Sequence, residues 1–316
     1  MSEGRIYVAG HGGLIGSAVV RALAGAGRGE PVLRSHDELE LRDERAVNAF
    51  FDAARPSHVV LAAGRVGGII ANRDRPADFL AENLAIQSNL MLAAHRCGVK
   101  RLLFFASSCM YPRECAQPMK EDALLSGVPE PTSMAYAVAK LAGTELCLSL
   151  NRQHGGARFV PLIPNSVYGP NDDFDPATGH VLSSLMRKFH DAKLKGDKNV
   201  VLWGSGTPRR EFLFADDLAQ ACLLLLDADL SKARLPLNIG PGEDVSIAEL
   251  AALVAGVVGF EGTIEWDRSK PDGARRKLLD SARMRALGWR PSTTLDDGLR
   301  RTYAWFLEQG AERRAA

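Results

Sequence analysis

The chain has 316 residues, 46% of them hydrophobic and 24% charged, with a formal net charge of +1. This is ordinary globular composition, and near-neutrality gives no basis for a nucleic-acid or membrane-binding surface. No apolar run is long enough to cross a bilayer and residues 1–5 are too polar for a signal peptide, so the expected compartment is the cytoplasm.

The first elements in chain order are a strand, a turn and a helix. Residues 5–9 are an apolar run, Gly10-His-Gly-Gly13-Leu-Ile-Gly16 is a glycine turn, and residues 17–27 are amphipathic. Further strands are expected at Pro31–Arg34, His58–Ala63, Arg101–Ser107 and Phe159–Ile163. Helices are expected at 44–54, 77–97 and about Ser133–Gln153. Apolar strands alternating with helices predict an α/β fold with a Rossmann-type, doubly wound parallel sheet.

After residue 170 the texture changes. Residues 171–180 are polar and loop-like, followed by a helix at Leu182–Ala192, a strand at Val200–Trp203 and a turn at Gly204–Pro208. A helix at 215–227 and a short strand at Leu237–Ile239 return to the sheet. The tail reads as a helix at 246–257, a strand at Thr263–Trp266, the loop Lys270-Pro-Asp-Gly273 and a helix from about Leu295. The expected division is a dinucleotide-binding domain at 1–170, rejoined by 211–245, and a smaller, discontinuous C-terminal substrate domain at 171–210 and 246–316. The cleft between them is the expected site.

The five cysteines are odd in number and form no C-x-x-C pair, which predicts reduced thiols with no disulfide framework and no metal site. Gly10, Gly13 and Gly16 permit a tight turn that brings the backbone at Leu14 and Ile15, opening a helix, against a pyrophosphate. Cofactor choice rests on Leu33-Arg34-Ser35-His36-Asp37. Arg34 and His36 favour the 2′-phosphate of NADP(H), and Asp37 keeps NAD open. Arg34 as a solvated surface charge is the plainer alternative.

Tyr136 and Lys140 are four residues apart and share a helix face. A nearby ammonium lowers a tyrosine pKa, which would ease proton exchange with a substrate oxygen. Ser107, at the end of a strand, would hydrogen-bond the same oxygen. Cys109 is not needed for such hydride chemistry and points to a second reaction on the same substrate.

The chain resembles the GDP-L-fucose synthase family of the extended short-chain dehydrogenase/reductase superfamily. The segments that carry the resemblance are Ala9-Gly-His-Gly-Gly-Leu-Ile-Gly16, Val66-Gly-Gly-Ile69, Ser107-Ser-Cys-Met-Tyr-Pro112 and Tyr136-Ala-Val-Ala-Lys140, then Tyr168-Gly-Pro170, Gly179-His-Val181, Trp203–Phe212 and Lys270–Asp280. The resemblance implies a GDP-4-keto-6-deoxy-mannose 3,5-epimerase/4-reductase that uses NADP(H) and forms homodimers. It implies that Cys109 and His180 are the base and acid of the inversions, and that Tyr136 protonates the C4 oxygen on reduction. It also assigns Lys188, Arg210 and Lys277 to the nucleotide diphosphate, though each alone reads as a surface charge. Trp203 would pack near the nucleotide-sugar, or in the core.

The chain departs from the family at Gly12 and His36, where some members carry arginines. It has Asn165-Ser166 in place of Thr-Asn, and Asn171-Asp-Asp-Phe174 in place of His-Asp-Asn-Phe. These changes leave open a related GDP-4-keto-6-deoxy-hexose or -heptose as substrate, or a 4-reductase alone. A cofactor-sensing protein without catalysis is disfavoured by the intact Tyr136/Lys140 pair.

Overall fold

The structure is a computed structural model that describes residues 4–175, 178–270 and 272–315. Pro271 of the Lys270–Gly273 loop, residues 176–177 of the 171–180 loop, and residues 1–3 and 316 of the expected domains lie outside the described residues. Four strands, β1 (Ile6–Ala9), β2 (His58–Leu61), β3 (Arg101–Phe105) and β4 (Phe159–Pro164), are joined by Leu237–Ile239 in a sheet paired in that order, every pair parallel. The helices are α1 (Leu14–Gly25), α2 (Glu44–Ala54), α3 (Ile69–Asp74), α4 (Pro76–Arg96), α5 (Met134–His154), α6 (Val181–Lys195), α7 (Ala215–Asp227), α8 (Ile247–Val258), α9 (Ala282–Ala286) and α10 (Leu295–Ala315).

Successive side chains of a strand point to opposite faces, and the sheet is buried on both. Val8, Leu103 and Phe105 pack with Val19 and Leu23 of α1 and Leu218 and Cys222 of α7. Tyr7, Leu102 and Phe104 pack on the other face with Phe51 of α2, Leu90 and Met91 of α4, and Cys147 and Leu150 of α5. Burying each such side chain contributes about 1.5–3 kcal/mol. A third core lies apart from the sheet, where Leu182, Met186 and Phe189 of α6 meet Leu250 and Val254 of α8 and Leu299 of α10. Asn199–Trp203 pairs in parallel with Thr263–Asp267 against this core.

The expected strand at Pro31–Arg34 reduces to one residue. Val32 bridges Tyr7, with its N–H on the Ile6 carbonyl at 2.8 Å and its carbonyl accepting from Val8 N at 3.1 Å. Pro31 has no N–H to offer, and the Ser35 N–H is already taken by the Glu38 carboxylate at 2.7 Å. The expected helix at 77–97 is preceded by a separate turn of helix, α3, with Pro76 opening α4. Val32 and β2 flank β1 on opposite edges, so the chain reverses its strand order at β1. In open α/β sheets the crevice beyond the carboxyl ends at such a point is where ligands bind. Among the described residues, no helix is long and apolar enough to cross a membrane.

Candidate active site

The glycine turn stands at the carboxyl end of β1. Gly10 has φ +81°, and a Cβ there would lie 2.7 Å from Ala63 N. A Cβ on Gly16 would lie 2.0 Å from the Gly10 carbonyl oxygen, so only glycine lets α1 begin this close to the strand. Gly13 is the N-cap of α1 with no side-chain cap, and a Cβ on Gly12 would meet nothing within 4 Å. The N–H groups at Leu14 and Ile15 belong to the first turn of α1 and have no intrahelical acceptor, the arrangement an anion requires. Gly16→Ala is expected to cost about 1–3 kcal/mol by overpacking. Thermal melting and a cofactor titration would register the loss, and unchanged values would refute the crowding argument.

Arg34 is exposed, lies 5.4 Å over the Phe50 ring and donates to the Leu33 carbonyl at 2.7 Å. His36 is exposed and sits 3.2 Å from Glu40. Both border the end of the Val32 segment.

β3 runs out at Phe105, and Ser107 then caps a single helical turn, Ser108–Met110, by accepting from Cys109 N at 3.2 Å. This turn packs against α5. The buried Lys140 ammonium donates to the Phe105 carbonyl at 2.9 Å, 4.9 Å above the Phe104 ring and 5.7 Å from the Tyr136 ring centroid. α5 is also pinned to α4 by Gln87, whose amide donates to the Ala139 carbonyl at 2.7 Å. Phe79 meets the Tyr136 ring edge-on at 6.3 Å.

One expectation is overturned. The Tyr136 hydroxyl is held above its ordinary pKa, not below it. Burial is the main cause, the Cys109 thiolate adds to it, and the neighbouring Ser107 hydroxyl offsets part. The Lys140 ammonium directs one of its donors to the Phe105 carbonyl, and burial lowers its own pKa to about 8. Tyr136 therefore carries its proton at neutral pH, which suits a proton donor.

Cys109 is half-buried within electrostatic reach of both Tyr136 and the Arg210 guanidinium. Arg210 and Lys277 are register partners on the short parallel strands Arg209–Arg210 and Arg276–Lys277. Their neighbours Arg209 and Arg276 both pair with the buried Asp244. Alternation along a strand turns Arg210 and Lys277 to the opposite face. Among the described residues neither meets a carboxylate, so both are available to phosphate oxygens. The Lys188 ammonium, depressed by burial, donates to the Val201 carbonyl at 3.2 Å. Trp203 is 64% exposed with the Lys270 ammonium 5.6 Å over its ring, so it is not a core residue.

His180 is the N-cap of α6 and is half-exposed. Its Nδ1 lies 3.6 Å from the buried Asp172 carboxylate, which is the first cause of its raised pKa. The preceding residues are tied toward the Tyr136 side, since Gly68 N donates to the Thr178 carbonyl at 3.2 Å. The same 64–68 loop is held by Asn83, which accepts from Arg65 N at 3.1 Å. Asp172 lies in the Asn171–Phe174 segment but is not marked there as a partner of His180, and Asp244 and Asn83 carry no signal in the sequence, because single acidic or amide residues in loops and helices are commonplace. Asp172→Asn is expected to lower the His180 pKa. Any step that needs protonated His180 would then fail at lower pH as pH rises. An imidazole NMR titration checks this, and an unmoved midpoint would sink it.

Residues 6–240 match the NAD dependent epimerase/dehydratase family. The chain is 50% identical over 309 residues to GDP-L-fucose synthase 1 of Arabidopsis thaliana, covering 98% of this chain and 95% of that relative. It is 47% identical over 315 residues to the GDP-L-fucose synthase of Escherichia coli (strain K12), covering 98% of each. The chain belongs to the GDP-L-fucose synthase family. A solved GDP-mannoheptose C4 reductase from Campylobacter jejuni with NADP bound is 36% identical, with a TM-score of 0.87, covering 97% of this chain and 99% of that one. The site therefore groups a strand-end serine, a thiol and a Tyr/Lys helix with two cations that, among the described residues, meet no carboxylate.

Proposed function

We propose that this chain converts GDP-4-keto-6-deoxy-mannose to GDP-L-fucose by inverting C3 and C5 and reducing C4, with NADPH as the reductant. The reading is carried by one observation above the others: Cys109 stands within electrostatic reach of both the half-buried Tyr136 and the diphosphate-competent Arg210. The glycine turn, with its uncapped helix start and a face that no side chain fills, fits a dinucleotide pyrophosphate at Gly10, Gly13, Leu14, Ile15 and Gly16. Arg34 and His36 would meet a 2′-phosphate, and the NADP-bound heptose reductase supports that choice. A bound reduced nicotinamide supplies the hydride for C4.

The residues divide the work. Arg210, Lys277 and Lys188 neutralise the diphosphate, and Trp203 offers a face to the carrier nucleotide, so the sugar lies between the sheet and the lobe formed by 171–210 and 246–316. The C4 ketone acidifies C3–H and C5–H. At each centre Cys109 takes the proton as thiolate and His180 delivers one to the opposite face, and between the two inversions Cys109 loses and His180 regains a proton by exchange with water. Ser107 and Tyr136 stabilise the oxygen while it carries charge. Tyr136 then gives its proton to that oxygen on reduction, and Lys140 holds the local field positive. The exposed Leu92 of α4 and Val138 of α5 support pairing of two copies through these helices.

A second reading, a GDP-4-keto-6-deoxy-heptose as substrate, is favoured by Ser166 and Asn171 and by the heptose reductase likeness. The test is incubation in heavy water with mannose- and heptose-derived GDP-4-keto-6-deoxy sugars, with and without NADPH. Deuterium at C3 and C5 before reduction supports the epimerase/reductase. Reduction without deuterium uptake would leave a 4-reductase alone.

A further inference from the structure

We infer that Asn165 and Glu211 are positioning residues that fix the thiol of Cys109 relative to the cations Arg210 and Lys277. The inference rests on the function proposed above, in which that thiol exchanges protons while those cations hold the diphosphate.

Glu211 directly follows Arg210 and is fully buried. Its Oε1 accepts from Gly242 N at 2.7 Å, and its Oε2 accepts from Leu279 N at 3.0 Å and from Asn165 Nδ2 at 3.2 Å. Asn165 is also buried, and its Nδ2 donates again to the Lys277 carbonyl at 3.0 Å. Its Oδ1 accepts from the Ser108 hydroxyl at 2.9 Å and from Ser166 N at 3.2 Å. Ser108 lies between Ser107 and Cys109. One unbroken set of hydrogen bonds therefore joins the backbone at Lys277, and the side chain of the residue that follows Arg210, to the turn that carries the thiol.

Both polar groups are deep enough that leaving any member unpaired is costly, so the set holds one geometry. The helix that carries Tyr136 is anchored elsewhere, by Lys140 on Phe105 and Gln87 on Ala139. Loosening Asn165 thus displaces Cys109 from the sugar carbons and leaves the proton donor of C4 where it was. Side chains that support a reacting group set its placement to fractions of an ångström, and about 1 Å of error costs about 100-fold. The distinctive consequence is a split between the two chemistries.

The experiment measures two rates in the full-length chain. One is deuterium uptake at C3 and C5 of GDP-4-keto-6-deoxy-mannose in heavy water. The other is NADPH oxidation with the already inverted GDP-4-keto-6-deoxy sugar. Asn165→Ala is expected to lower uptake about 100-fold and oxidation by less than about fivefold, with NADPH affinity retained. Ser108→Ala removes a single hydroxyl from the end of the network, should show the same split, and decides the matter if Asn165→Ala does not fold. Asn165→Asp sets a carboxylate against Glu211. It also faces the Lys277 carbonyl without a donor, so uptake is expected to fall at least as far as in Asn165→Ala, with oxidation again spared. Equal losses of uptake and oxidation, or undiminished uptake, overturn the positioning role. Absence of uptake in the unmodified chain overturns the proposed function and this inference with it, so the two failures are told apart by the unmodified enzyme.

Discussion

Replacing Cys109 by serine is expected to reduce deuterium uptake at C3 and C5 by about 10²–10⁴-fold, the range for loss of a general base. The substitution is nearly isosteric, and the Ser107 cap on the Cys109 N–H stays in place, so the turn keeps its shape. What changes is the base: a serine hydroxyl is a far weaker acid than a thiol and supplies no comparable anion near neutral pH. Hydride consumption persists, and the product becomes the alcohol of a sugar that has not been inverted. Proton NMR of the recovered sugar after incubation in heavy water reads both outcomes at once. Full uptake in Cys109→Ser would falsify the assignment and move the base to another group.

Tyr136→Phe is expected to weaken both chemistries and reduction the more, because Tyr136 shares stabilisation of the enolate oxygen with Ser107 in each inversion but alone supplies the C4 proton. C4 reduction should fall by about 10³-fold or more, since both the proton and a hydrogen bond to the developing alkoxide are lost. The ring stays packed against Phe79, so thermal stability should change little. Burial keeps the Tyr136 hydroxyl protonated through the neutral range, so its own titration does not limit the rate there. The alkaline limit belongs to Lys140. Its pKa of about 8 makes it a cation below that pH and neutral above it, so reduction should decline as pH rises through 8. Single-turnover NADPH oxidation across pH separates the two residues. A rate that stays flat well above pH 8 would contradict the role given to the ammonium.

Much of this site is legible in the residues because its signals are local. The Tyr136/Lys140 spacing places two groups on one helix face, and the glycines at 10 and 16 answer to a turn that would otherwise clash with Ala63 and with itself. The observed α2 and α7 have the bounds that periodicity predicts, 44–54 and 215–227, because each carries one apolar stripe between clear stops. The Val32 segment is the counterexample. Its apolar run reads as a strand, yet it lies at a sheet edge between a proline and a turn, and one residue pairs.

By itself the sequence determined the order of most strands and helices, the glycine turn after the first strand, and the serine, thiol, tyrosine and lysine to which the chemistry is proposed to belong. Those features depend on periodicity and on spacings shorter than a helix. Only the tertiary structure decided which charges are free and which way each group titrates. Arg209, Arg210, Arg276 and Lys277 look alike along the chain, but Arg209 and Arg276 share the Asp244 carboxylate, while Arg210 and Lys277 turn to the opposite face, where among the described residues neither meets a carboxylate. The neighbouring ammonium suggested a more acidic Tyr136, and burial made it less acidic. Desolvation and charge pairing are set by groups distant in sequence, so they come into being only when the chain is folded.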